Sequence, residues 1–216
     1  MTTLITLIKK DLLLLRRSLT PASTMPIFIS VIVAFVNPEF FMMLLVLILG
    51  AFFPALIIQI LTIDESTRWK QFMRSLPVKP HIEVIARFVL LLMLSALSAV
   101  LIAALGFIAS AAGLVETTGQ YLFLFSMYGL VYGLLMGDVA IPVMYRFGAV
   151  NGKYVIMAFT FIPIIIGLYL ISSGIPAFLY HVTKEMLIGA VVVAIAIATG
   201  IAFLYTWSVL KRRYEA

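Results

Sequence analysis

Residues 64–87 read DESTRWKQFMRSLPVKPHIEVIAR, a charged and aromatic block between two long apolar runs. The runs on either side, 40–63 and 88–114, carry no charged residue. Each is long enough to cross a bilayer, which takes about 20 predominantly apolar residues as a helix. The whole chain follows suit: 64% of its 216 residues are hydrophobic and 11% charged, and its mean hydropathy is +1.19. A soluble domain has roughly 45–50% apolar and 25% charged residues. The excess cannot be clothed in polar surface, so the bilayer is the expected solvent. The apolar runs do not alternate with period two, which selects helices over a barrel.

Outward from the block, the sequence predicts an all-α membrane protein with six transmembrane helices, near residues 22–36, 40–63, 88–114, 121–145, 154–172 and 186–210. Residues 2–19 predict an amphipathic interfacial helix: Thr6, Lys9, Lys10, Arg16 and Arg17 project to one face, and Leu4, Ile5, Ile8, Leu12, Leu15 and Leu19 to the other, with Leu13 the exception. Of the 15 lysines and arginines, fourteen fall on the side of the two termini and only Lys184 on the other. The positive-inside rule therefore puts both termini and the block 64–87 in the cytoplasm of a multi-pass protein. The net charge of +6 reads as topology rather than as a nucleic-acid surface. No cysteine is present, no secretory signal peptide is read, and the chain 1–216 reads as one membrane domain without repeats or linkers.

Enzyme chemistry finds little to build on. His81 and His181 lie on opposite sides of the membrane in this topology and cannot share a metal. No two carboxylates share a span. Gly148 to Lys153 is superficially a phosphate-binding loop, but three residues separate its glycines where four are needed, and Tyr154 stands where Ser or Thr would hold magnesium. No catalytic, cofactor or metal site is expected in this chain. Asp138 is the one acid inside an expected span. It either lines a cavity for a cationic group or a proton, or sits shallow and bonds to a neighbouring helix or to water. Gly129, Gly133 and Gly137 recur at spacing four, a small face that admits another helix, within the subunit or at a dimer seam.

Within the block, residues 66–76 predict a short helix. Trp69, Phe72, Met73 and Leu76 fall on one face, and Thr67, Lys70, Gln71 and Arg74 on the other, before Pro77 stops it. Such an apolar face lies on a membrane surface or fills a groove on a partner.

Glu65, Trp69 and the run Ser75, Leu76, Pro77, Val78 resemble the first cytoplasmic loop of small ABC-2 type permeases. Pro142, Arg146, Phe147, Gly148, Gly152 and Lys153 are similar to the second-loop signature of the compact branch that includes the permeases of phenol-soluble-modulin exporters. The chain departs from that branch where Arg87 and Phe88 replace Lys-Tyr, and where Asn151 replaces a basic residue. The resemblance implies a bacterial plasma-membrane exporter with two permease subunits, alike or paralogous. Two separate ATP-binding subunits would supply ATP and magnesium, and the loop helix would dock on them through Glu65, Arg68, Trp69, Phe72, Met73, Leu76 and Pro77. An apolar pathway suits an amphipathic or hydrophobic substrate such as a modulin peptide. Two other classes fit the same topology. An ion-coupled secondary transporter would need several polar groups at mid-membrane, and a membrane scaffold would use the loop helix for docking alone.

Overall fold

The computed structural model describes residues 2–18, 25, 28–29, 32, 38–67, 69, 72–73, 79–115, 119–173 and 184–215. Among these the long elements are five helices: α1 (Thr2–Ser18), α2 (Pro38–Ser66), α3 (Pro80–Ala111), α4 (Gly119–Ser173) and α5 (Lys184–Glu215). Among the described residues, four segments are long and apolar enough to cross a membrane: Phe41–Ser66, His81–Ala111, Gly119–Met157 and Val193–Arg212. The expected span over 22–36 lies almost wholly outside the described residues.

The block 64–87 is less of a loop than its composition suggests. Helix α2 continues through Asp64 and Glu65 to Ser66, where the Ser66 hydroxyl donates to the carbonyl of Ile63. Helix α3 begins at Pro80, well before Phe88, with Pro in its first turn and Glu83 just inside. Proline suits that position because its missing N–H has no intrahelical partner there. The lengths explain the rest. Helices of 29 and 32 residues are about 43 and 48 Å long at 1.5 Å per residue, whereas the hydrocarbon core is about 30 Å thick. Both run past the apolar layer, so their polar turns remain helical outside it. At its far end α3 closes on Gly113 at φ 69°, with the amide of Leu114 donating to Ala109 and that of Gly113 to Ser110, a glycine-terminated cap.

The loop expected over 146–153 shrinks to one residue. Helix α4 runs on through Arg146 and Phe147, breaks at Gly148 (φ 80°, ψ 178°) and resumes. That region of backbone space is essentially reserved for glycine. The break reverses the chain. A Cβ at Gly152 would lie 3.4 Å from the Cα of Met144, although eight residues of continuous helix would span about 12 Å. The residues expected as a fifth span, 154–172, follow this break and are helical to Ser173.

Helices α2, α3 and α4 form the core, with Leu45, Leu49, Ile57, Leu90, Leu91, Ile102 and Ile141 buried between them. The glycine stripe makes this closeness possible. A Cβ at Gly129 would strike Ile102, one at Gly137 would strike Leu91, and one at Gly133 would lie 3.0 Å from the Ser95 hydroxyl and 3.4 Å from the Gly50 carbonyl. The stripe therefore packs inside the subunit, against α3 and α2. Around this core, Leu92, Val100, Phe107, Phe123, Tyr128, Ile197, Ile201 and Leu204 are exposed, an apolar girdle suited to lipid.

Candidate functional site at the charged end of the bundle

One end of the bundle holds a buried set of charges from three helices. The Arg87 guanidinium of α3 donates to Asp11 of α1 at 2.6 Å and to Asp64 of α2. Lys10 of α1 bonds Asp64 at 2.9 Å and lies 3.0 Å from Asp11. Two cations thus meet two carboxylates, with Asp11, Asp64 and Arg87 all buried. Buried charges are tolerated only when paired and hydrogen-bonded, and the planar fork of Arg87 satisfies an acid on each prong. One turn back on α3, Glu83 accepts a 2.8 Å hydrogen bond from the hydroxyl of Tyr145 on α4, and both are buried. Arg87 and Glu83 therefore tie α3 to α1, α2 and α4 at this end.

Helix α1 is fastened here by Asp11 and Leu15, both buried. Of the residues projected as its apolar face, Ile5 and Leu12 remain exposed, as does Leu13. The charge of Asp11, matched by Arg87, decides which side of the helix meets the bundle.

Glu65 makes the second link. Its carboxylate accepts a 2.5 Å hydrogen bond from the amide of Ala149, 84 residues on. Ala149 is the first residue after the break at Gly148. Its N–H has lost its intrahelical acceptor, and a carboxylate at a helix start also suits the helix dipole. The end of α2 is thereby hooked onto the turn of α4.

A family model described as ABC-2 family transporter protein matches residues 6–211. The chain belongs to the ABC-2 transporter family. It is a multi-pass membrane protein, and permeases of this family are membrane components that lack an ATPase domain of their own and generally work with an ATP-binding subunit. Neither the curated proteins nor the solved structures gave a match.

In this ABC-2 protein the residues expected to couple to a partner are differently placed. Trp69, Phe72 and Met73 are helical, whereas Arg68, Leu76 and Pro77 lie outside the described residues. Trp69 is turned inward, with the Lys10 ammonium 4.2 Å from its ring centroid and its indole N–H buried. Phe72 packs beside it at 5.3 Å yet is 53% exposed, whereas Met73 is 1% exposed. The residues projected onto one adhesive face thus divide into an anchor, Met73, and an outward ring, Phe72.

At the turn of α4, Arg146 donates to the Tyr205 hydroxyl of α5 and stacks 5.3 Å from the Phe147 ring. Gly152 allows the returning helix to approach Met144. Pro142 lines a groove with Asp138 and Arg146, and Lys153 lines another against Pro54 and Ile58 of α2. Asp138 itself is buried and accepts a 2.7 Å hydrogen bond from Thr199 of α5.

Sequence reasoning missed Asp11, Glu83, Tyr145, Thr199 and the pairing role of Arg87. Two signals were available. Asp11 is the only acid among the leucines and cations of 2–19, and Glu83 and Arg87 stand four apart on one helix face.

The Glu65 hook yields a test of its own. Alanine at Gly148 would hold a strained φ of 80° and place its Cβ 2.8 Å from a Glu65 oxygen, an expected cost of about 1–3 kcal/mol. Glu65→Ala removes the cap for about 0.5–2 kcal/mol. Because the two share one contact, the double variant should lose less than the sum when thermal unfolding is followed in detergent. Strict additivity would show that the hook does not form.

Proposed function

We propose that this chain is the permease subunit of an ATP-driven exporter of the bacterial plasma membrane. Two such subunits form the pathway, and separate ATP-binding subunits, carrying ATP and magnesium, dock on the segment 64–87. Both termini and that segment face the cytoplasm on this reading, as fourteen of the 15 basic residues favour. Residues 1–216 act as one membrane domain, with α1 lying at the interface and residues 22–36 completing six spans. The cargo is amphipathic or hydrophobic, of the kind represented by phenol-soluble modulin peptides, to whose exporters the two loop motifs have their resemblance.

The observation that carries the reading is the Glu65–Ala149 hydrogen bond. It joins the two segments that resemble ABC-2 loops, although they are far apart in the chain. A force applied to the segment after α2 is passed at once to the turn of α4, and through Arg87 to α1 and α3. This is the arrangement a lever needs, with an outward ring at Phe72 and a rigid mount behind it.

The test is co-expression with a candidate ATP-binding protein that carries a complete phosphate-binding loop. Co-purification is expected, with ATP-dependent movement of an amphipathic helical peptide in reconstituted vesicles. Movement without ATP that follows a pH gradient and stops in Asp138→Asn would establish a secondary transporter instead. A stable complex that moves no peptide would favour a scaffold.

A further inference from the structure

Asp138 is 4% exposed, and only one of its oxygens is used. The Thr199 hydroxyl donates to Oδ2 at 2.7 Å, while Oδ1 is buried without a hydrogen-bond partner among the described residues. A carboxyl group offers about four acceptor positions, and leaving a buried oxygen empty is costly, the more so within an apolar span. The nearest cation on the same helix is Arg146, two turns away at about 12 Å. It is engaged by the Tyr205 hydroxyl and the Phe147 ring.

The same acid lines the largest groove among those described, about 580 Å³, between α4 and α5. Its walls are largely apolar, among them Leu135, Val139, Ala198 and Ile201, with Tyr132, Arg146 and Tyr205 the other polar side chains that line it; Leu135 and Ile201 are exposed along it. An under-used acceptor in an apolar trough fits a ligand with an N–H donor, preferably cationic, and a hydrocarbon body.

We propose that the α4–α5 groove binds a primary-amine amphiphile, with its ammonium on Oδ1 of Asp138 and its tail along Leu135, Val139 and Ile201. Asp138 is the one acid among the lining residues, and Arg146, the one cation among them, is engaged by Tyr205, so a cationic head finds its match at Asp138. Thr199 engages only the other oxygen, Oδ2. The inference deepens the permease reading by naming a cargo chemistry. Binding itself needs neither ATP nor the ATP-binding subunit, so its failure leaves co-purification with an ATPase untouched, and the converse holds as well.

The experiment measures binding of three radiolabelled probes with one tail to the full chain in lipid nanodiscs, with empty nanodiscs subtracted. The probes are dodecylammonium, dodecyltrimethylammonium, which keeps the charge but has no N–H, and dodecanol. Dodecylammonium is expected to bind at least about tenfold more tightly than dodecanol, with the trimethyl probe between them. In Asp138→Asn the preference should fall to within about twofold. Thr199→Val, which keeps the carboxyl, should retain the preference and serves if the Asn variant does not fold. Equal binding of amine and alcohol by the wild type, a preference that survives in Asp138→Asn, or its loss in Thr199→Val would overturn the proposal. The chain has no cysteine of its own, so Ile201→Cys reports on a second copy. Disulfide cross-linking between copies, undiminished by saturating dodecylammonium, would put a partner subunit in the groove and also overturn it.

Discussion

Replacing Arg87 with methionine is expected to cost the fold about 3–5 kcal/mol, the usual consequence of removing one partner from a buried ion pair. The charge balance explains the size. With Arg87 in place, two cations face Asp11 and Asp64. Without it, two buried carboxylates share Lys10, whose side chain is already partly exposed. A chain of this length loses about 2–4 °C of Tm per kcal/mol, so melting in detergent should fall by about 6–20 °C. The decisive control is the double variant Arg87→Met with Asp11→Leu. It leaves Lys10 and Asp64 as a balanced pair at 2.9 Å and replaces the rest with apolar bulk, an exchange that is often neutral. Most of the lost stability should return. Arg87→Lys should fall between the two, because a single ammonium cannot reach both acids as the fork does. If Arg87→Met melts with the wild type, the charge set does not hold α1 to the bundle.

The difference between what the sequence disclosed and what it withheld follows from the range of the forces involved. Apolar runs reveal the helices because membrane insertion is a local property of about 20 residues. The spacing of Gly129, Gly133 and Gly137 reveals a close-packing face for the same reason, but not its partner, since a small face fits an intramolecular helix as well as a second subunit. The structure turns it onto Ile102, Ser95 and Leu91. The charged block misled in another way. Polar residues at 80–87 suggest a loop only if helices are assumed to stop at the membrane surface, and α3 does not. The candidate site was legible only in part. Glu65, Trp69 and Gly148 stand out by resemblance, while the partners Asp11, Tyr145 and Ala149 are brought in by tertiary packing from 76, 62 and 84 residues away. No periodicity encodes such meetings.

Phe72→Ala should weaken binding of the ATP-binding subunit by about thirtyfold or more and leave melting unchanged, whereas Met73→Ala should do the reverse. A partner that closes over the segment after α2 meets Phe72 first, since the ring is 53% exposed and its neighbour Met73 is 1% exposed. An aromatic side chain seated in a partner's pocket typically contributes about 2 kcal/mol or more on truncation, which is about thirtyfold in Kd. Met73 faces the other way, into the protein, and truncating a buried methionine costs about 2–5 kcal/mol of stability. Trp69 lies between these cases. It stacks on Phe72 at 5.3 Å and under Lys10 at 4.2 Å, so Trp69→Ala should lower both affinity and melting temperature. Titrating the labelled ATP-binding subunit onto each variant in nanodiscs separates the two effects. The pattern follows from which way each side chain points, and it discriminates between uses of the segment. A helix that only joined two spans, or only lay on lipid, would give variants that differ in stability and share one affinity. Loss of binding confined to Phe72 and Trp69 is the signature of a docked lever, and equal binding by Phe72→Ala and the wild type would remove Phe72 from the interface.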